Sequence, residues 1–418
     1  MDKFIIKGPV KLKGQVIISG SKNAALPILF ASLLIKEPIE IKNIPKLKDI
    51  DIAIKILIKL GVNIKKKKTL RIDSSSLLRY NPPSYLIKLI RASIWILGPL
   101  LTRLGKVNIA FPGGCSIGNR PIDLHINSLQ ILGAKINIKK NHIQGYIKKK
   151  FQGKIIRMKN VSVGATITII LAATLACSIT IIENAAKEPE IKDLANFLNK
   201  MGANIQGVGT NKIIIKGVKK LKGGIYTIIS DRIETGTFLV AAAICKSKIL
   251  CKNTNPNDLN IVLQKLKKTG AEIKTGKNWC SINMHGQRPK SVNITTGPYP
   301  KFPTDMQSQF ALLNLVSNGI SIIKENIFEN RFMYVPELIR MGANVILKNN
   351  MLKCKGVKSL SSAEVMATDL RSSVTLVLAG CIASGITIIN NISHIDRGYE
   401  NIENKLSNLG AHIQRIKY

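Results

Sequence analysis

The chain has 418 residues, 45% hydrophobic and 21% charged, which is enough for two domains with a core each. Its formal charge of +39 comes from Lys scattered along the whole length with aromatics at only 5%, whereas a nucleic-acid binder gathers Lys and Arg on one face and interleaves aromatics. Seven cysteines, an odd number with no CxxC pair, argue against a disulfide framework and a zinc site and fit a reducing cytosol. Abundant Lys, Ile and Asn read as a drift toward AT-rich codons, so the charge draws anionic substrates without implying specific nucleic-acid binding. The start, Met1-Asp2-Lys3-Phe4, lacks the apolar core of a signal peptide.

Taken in order, the chain first gives a strand, Val16-Ile17-Ile18-Ser19, leading through Lys22 and Asn23 into a helix that begins near Ala24. A further helix is predicted from Ser84, with Arg91 and Trp95 four residues apart and hence on one α-helical face. Then comes Phe111-Pro112-Gly113-Gly114-Cys115-Ser116-Ile117-Gly118-Asn119-Arg120-Pro121, where three glycines and two prolines in eleven residues exclude a helix or inner strand and predict a mobile loop. The Cys115 thiol stands five residues before Arg120, and nearby positive charge makes a thiolate available. Asn160 to Ile182 carries no charge, but its Gly164, its hydroxyl side chains and the β-branched end Ile179-Thr180-Ile181-Ile182 predict a buried helix followed by a strand, not a membrane span. Asp305 lies between Pro303 and a helix start, where a carboxylate serves either as a cap or as a general base.

The strongest pattern is repetition. A helix ending in Gly, then a small residue, then renewed alternation occurs at Gly61, Gly133, Gly202, Gly270, Gly342 and Gly410, at intervals of 72, 69, 68, 72 and 68 residues. Each glycine reads as a left-handed C-cap before a strand. In the same phase come short β-branched strands, at Ile39-Glu40-Ile41, Val107-Asn108-Ile109, Ile179-Thr180-Ile181, Lys248-Ile249-Leu250, Ile320-Ser321-Ile322 and Ile386-Thr387-Ile388. Six units follow, each with two helices and two loops at equivalent positions. One loop set carries Asp49, Cys115 with Arg120, Glu188, Arg331 and Arg397; the other carries Lys22, Arg91, Asp231, Asp305, Asp369 and Arg371. Recurrence at matched positions points to a shared cleft. Lys22 and Asn23, where a strand meets a helix N-terminus, suit a phosphate or carboxylate. Arg91 and Trp95 either hold a charged, ring-bearing ligand or, for Trp95, pack in the core.

Ile18-Ser19-Gly20-Ser21-Lys22-Asn23-Ala24-Ala25-Leu26-Pro27, the Cys115 loop, Phe302-Pro303-Thr304-Asp305-Met306-Gln307, Phe328-Glu329-Asn330-Arg331-Phe332, Ala367-Thr368-Asp369-Leu370-Arg371 and His394-Ile395-Asp396-Arg397-Gly398-Tyr399 closely resemble the UDP-N-acetylglucosamine 1-carboxyvinyltransferases, from end to end. The resemblance implies two inside-out α/β barrels of three units each with the site in the cleft between them: a first barrel over residues 22–229 and a second over 1–21 with 230–418. It implies transfer of the enolpyruvyl group of phosphoenolpyruvate to the 3-hydroxyl of the sugar nucleotide by addition and elimination, the first committed step of peptidoglycan synthesis, in the cytoplasm and with no metal or organic cofactor.

Carried over by position, Asp305 accepts the hydroxyl proton and Cys115 donates one to C3. Lys22, Arg120 and Arg397 neutralise phosphate, and Arg331 and Arg371 take the carboxylate. Cys115 also fits a covalent phosphoenolpyruvate adduct and alkylation by fosfomycin. Arg91, Arg120, Pro121, Ile122, Asp123, Leu124, Asn160, Val161, Ser162, Val163, Asp305 and Ile327 match nucleotide-sugar contacts, to which the reading of the residues adds Asn23 and Trp95. Asn160 stands where the resemblance leads one to expect lysine; a backbone contact survives that change. The 3-phosphoshikimate 1-carboxyvinyltransferases are expected to share repeat and chemistry but lack the cysteine loop. The alternative from another class is a silent, basic binding protein on the same fold.

Overall fold

Several of the repeats hold a helix that is almost wholly buried. In the computed structural model of the chain, which describes residues 2–113, 118 and 121–417, the helix Val163–Ala173 has every residue from Ala165 onward buried. Arg232–Ile244 is buried from Ile233 to its end, and Leu370–Ile382 from Arg371 to Cys381. Such helices are apolar all round and fit only an interior; each fully buried Ile or Leu in them contributes about 1.5–3 kcal/mol. The second helix of each repeat is amphipathic. Lys48–Lys59 and Pro189–Lys200 turn Ile50, Ile56 and Leu57, and Ile191, Leu194 and Leu198, inward and keep lysines at the surface.

Those second helices all stop in the same way. Gly61, Gly133, Gly202, Gly270, Gly342 and Gly410 have φ between 87° and 110°, the left-handed region that glycine enters without a Cβ clash. After the first five of these glycines the chain reverses into a hairpin that pairs with the β-branched strand of the same repeat, whereas the strand after Gly410 pairs with Lys3–Gly8. Five of the sheets share one order: a parallel edge strand, the β-branched strand, then two antiparallel strands. Ile155–Arg157 lies parallel to Ile179–Glu183, which pairs with Lys212–Lys216, which pairs with Asn204–Gln206. The sixth, built on Lys106–Ala110, has three strands. Pro82 and Pro83, without N–H groups, interrupt the segment that would form its parallel edge, and the Tyr80 carbonyl accepts from Asn108 N–H at 3.0 Å.

Residues 20–113 and 121–229 form one unit, and residues 2–19 and 230–417 the other. Each holds three of the six sheets and a core of its own. The first unit closes its ring of repeats with Gly224–Thr227, which returns parallel to Ile39–Lys42. In the second unit the residues before Gly20 complete two sheets. Lys13–Ile17 lies parallel to Lys248–Lys252, and Lys3–Gly8 sits inside the last sheet, antiparallel to both Gly385–Asn390 and His412–Ile416. The uncharged stretch from Asn160 resolves as expected into the Val163–Ala173 helix and the Ile179–Glu183 strand. Among the described residues no helix is long and apolar enough to cross a membrane.

Candidate active site

In the unit containing residues 230–417, Asp305 occupies a 3-10 turn, Thr304–Met306, ahead of the helix Gln307–Leu315. Neither element takes a side-chain cap, so the capping role left open by the sequence is not the one Asp305 fills. Its carboxylate turns instead to two guanidinium groups: Arg331 Nη2 donates to Oδ1 at 2.7 Å and Arg371 Nη2 to Oδ2 at 2.9 Å. Both arginine side chains are only 4% exposed. Burial pushes the Asp305 carboxyl up, but the charges of Arg371 and Arg331 and their hydrogen bonds outweigh it and hold the group well below the usual carboxylate range.

Arg371 is presented by the first turn of Leu370–Ile382, whose cap, Asp369, accepts from the Arg371 and Ser372 N–H groups and from the Ser372 hydroxyl. The guanidinium lies over the Tyr399 ring, 5.3 Å from its centroid. Its Nε and Nη1 have no hydrogen-bond partner among the described residues. A buried donor left unmade is costly, and on a guanidinium it is a ready seat for an anion. Gln309 Nε2 supports this layer from below, donating to the Asp305 carbonyl and lying within reach of Thr237 Oγ1 and the Tyr399 hydroxyl. Arg397 closes the 3-10 turn Ile392–Arg397, half-buried, and Ile327 is exposed just beyond the strand Ile320–Lys324.

In the other unit Ser21 caps the helix Lys22–Ala31, its hydroxyl accepting from Ala24 N–H. Lys22 and Asn23 are therefore the first two residues of that helix, where backbone N–H groups have no intrahelical acceptor. Lys22 Nζ is paired with the buried Asp49, 3.3 Å away. Cys115 and Arg120 lie outside the described residues. Pro121 and Asp123 are exposed, Ile122 buried and Leu124 half-buried. Asn160 and Val161 are exposed, while Ser162 caps Val163–Ala173 by accepting from Ala165 N–H.

The expected shared helical face of Arg91 and Trp95 is not formed. The helix begun at Ser84 ends at Ile87, and Arg91–Ile96 is a 3-10 turn. With three residues per turn, positions three apart eclipse, so residue 91 aligns with residue 94 and not with Trp95. Trp95 Nε1 donates to the Gly164 carbonyl at 3.1 Å, and its ring packs on the core. That contact draws in His125, which the sequence did not single out. Its Nδ1 is 2.7 Å from Thr168 Oγ1, and a Cβ on Gly164 would come within 2.9 Å of its Cε1. Burial, then the nearby Arg91 charge, push the imidazole down to about 4, leaving it neutral near pH 7. The available signal was its place directly after the 121–124 run.

Three sheets around buried helices in each unit, with a buried arginine pair around one carboxylate, define a two-unit, six-repeat α/β protein with an anion-binding site. The fold matches the enolpyruvyl transferase NikO from Streptomyces tendae, with a TM-score of 0.90 over 100% of this chain and 99% of that one at 22% identity. It also matches EPSP synthase from Acinetobacter baumannii, with a TM-score of 0.77 over 100% of both chains at 17% identity. The family model for EPSP synthase (3-phosphoshikimate 1-carboxyvinyltransferase) matches residues 6–406. Proteins named UDP-N-acetylglucosamine 1-carboxyvinyltransferase are far more similar: that of Cronobacter sakazakii is 57% identical over 417 residues and that of Wigglesworthia glossinidia brevipalpis 58% over 417, each covering 100% of both chains. The chain belongs to the UDP-N-acetylglucosamine 1-carboxyvinyltransferase family.

Proposed function

We propose that this protein transfers the enolpyruvyl group of phosphoenolpyruvate to the 3-hydroxyl of UDP-N-acetylglucosamine, releasing phosphate, as a cytoplasmic step of peptidoglycan synthesis. The observation that carries the reading is Asp305 held between Arg331 and Arg371 in a chain 57% identical, end to end, to a protein named for that reaction. Asp305 accepts the sugar hydroxyl proton, the oxygen attacks C2 of phosphoenolpyruvate, and Cys115 supplies the proton to C3. Lys22, Arg120 and Arg397 stabilise the phosphate as it leaves.

A carboxylate clamped by two guanidinium groups is a weak base. The substrate carboxylate competes for Arg331 and Arg371, whose spare N–H groups on Arg371 await it, and as they turn to it Asp305 regains basicity at the step that needs it. Asn23, Arg91, the 120–124 run, residues 160–163 and Ile327 hold the nucleotide sugar, with Trp95 and His125 supporting that wall. Fosfomycin alkylates Cys115 in this reading.

Phosphate release from phosphoenolpyruvate, with UDP-N-acetylglucosamine or shikimate 3-phosphate as acceptor, tests it. Release with the nucleotide sugar alone, abolished by fosfomycin or by Cys115→Ser, is expected. Release with shikimate 3-phosphate would transfer the protein to the sister activity, and release with neither from folded protein would leave a silent binding protein.

A further inference from the structure

Glu325 is 3% exposed at the end of the strand Ile320–Lys324, and a carboxylate so deeply buried persists only if its oxygens are fully hydrogen-bonded. Four donors serve it. Oε1 accepts from Thr296 Oγ1 at 2.8 Å, from Ile327 N–H at 2.7 Å and from Phe328 N–H at 3.2 Å; Oε2 accepts from Thr304 Oγ1 at 2.8 Å. All four are uncharged hydroxyl or backbone N–H groups, so this is not an ion pair spent on stability. They come from three separate segments: the end of the Ile294–Thr295 strand, the turn carrying Asp305, and the loop running from Ile327 to Arg331. Thr296 Oγ1 also accepts from Asn326 N–H at 2.9 Å, which ties the first segment to the third a second time.

We propose that Glu325 is a positioning residue for enolpyruvyl transfer, fixing the Asp305 turn and the Arg331 loop against each other through Thr304 and the Ile327 and Phe328 amides. The inference rests on the reading that Asp305 and Arg331 meet the substrates. Arg331 and Asp305 are 26 positions apart, and the carboxylate of Glu325 bonds to both of the segments carrying them. Its two oxygens divide the task, Oε2 taking the turn and Oε1 the loop. A misplacement of about 1 Å in a reacting group costs on the order of a hundredfold in rate, which sets the size of the effect.

Thr304→Val removes only the Oε2 partner. Its kcat falls about tenfold to a hundredfold, while KM for UDP-N-acetylglucosamine stays within about twofold, because the Ile327 side of the clamp is intact. Thr304→Ser, which keeps the hydroxyl, restores kcat. Unchanged kcat in Thr304→Val, or a loss that Ser does not repair, overturns the proposal. A second measurement is independent of turnover: in Glu325→Ala, amide hydrogen exchange quickens by about tenfold or more at residues 304–306 and 326–331, while the paired strands Ile320–Lys324 and Met351–Lys355 keep their protection. Unaltered exchange in both loops would refute the holding role even in an active enzyme. Quickened exchange in a protein whose wild type releases no phosphate would sink the reaction and leave the holding role standing.

Discussion

Arg415 grips Asp396 with both ends of its guanidinium, Nη1 to Oδ1 at 2.9 Å and Nη2 to Oδ2 at 2.8 Å. The same group reaches back to Asp2, with Nε and Nη2 on Oδ2 at 2.9 and 2.8 Å, and comes within 3.5 Å of Glu403. One cation from the last strand thus gathers three carboxylates, among them the neighbour of Arg397. Arg415→Met leaves those carboxylates facing one another. It is expected to lower unfolding free energy by roughly 1–2 kcal/mol, reduced by screening in high salt. Urea denaturation at two ionic strengths measures this, and an unmoved midpoint in low salt would show the cluster to be inert.

Asp305→Asn removes the charge between Arg331 and Arg371. Turnover is expected to fall by about 10²–10⁴ with loss of the base. Phosphoenolpyruvate binding, measured by calorimetry, should hold or tighten, because the internal competitor for both guanidinium groups is gone. Weaker binding would show that Asp305 organises the arginines for the ligand and does not compete with it. The stability effect has a definite sign. The folded-state pKa is depressed, so the wild-type carboxylate stabilises the fold above the ordinary carboxylate range and loses that contribution as pH falls toward its native value. The stability gap between wild type and Asp305→Asn should therefore narrow in acid.

His125 predicts a second pH dependence. Its pKa is depressed from 6.5 to about 4, so between those values the unfolded chain binds a proton that the native state refuses, and stability falls as pH drops through the window. At about 1.4 kcal/mol per pH unit the contribution reaches about 3 kcal/mol. Denaturation of wild type and His125→Gln at pH 7 and 4.5 isolates it: the variant should lose less on acidification, and parallel losses would mean that His125 is protonated in the fold.

Gly164→Ala places a methyl group 2.9 Å from His125 Cε1 and 3.0 Å from its Nε2, closer than carbon atoms tolerate. The imidazole must move, and with it the support shared with Trp95. A loss of about 1–3 kcal/mol is expected from such overpacking, together with a rise in KM for UDP-N-acetylglucosamine larger than any change in KM for phosphoenolpyruvate. Equal rises in both constants would detach this wall from the nucleotide sugar.

The repeats were legible because the six glycines perform one backbone task, ending a helix with positive φ, and no other residue type does it as cheaply. The β-branched strands were legible for a similar local reason. Arg91 and Trp95 misled because four-residue spacing has meaning only at α-helical pitch, and nothing in that spacing announces a 3-10 turn. Lys22, Asn23, Asp305, Arg331 and Arg371 could be singled out as chemistry, but the choice of Asp305 as partner for arginines 26 and 66 residues away is a product of tertiary packing. Glu325 carried no signal at all: before folding it is one charge at the end of a strand, and its four donors come from residues whose own sequence character is unremarkable turn and loop.

The place of Lys3–Gly8 inside the last sheet bears on how the chain is made. Phe4 and Ile6 are fully buried there, paired on one side with Gly385–Asn390 and on the other with His412–Ile416. This strand leaves the ribosome well before either of its partners, with the other sheets of both units encoded in between. At about 5–20 residues per second that is a wait of tens of seconds, with an apolar strand unpaired on both edges. The nascent chain depends through that interval on whatever shields such segments, and the second unit acquires its final sheet only once His412–Ile416 has been made.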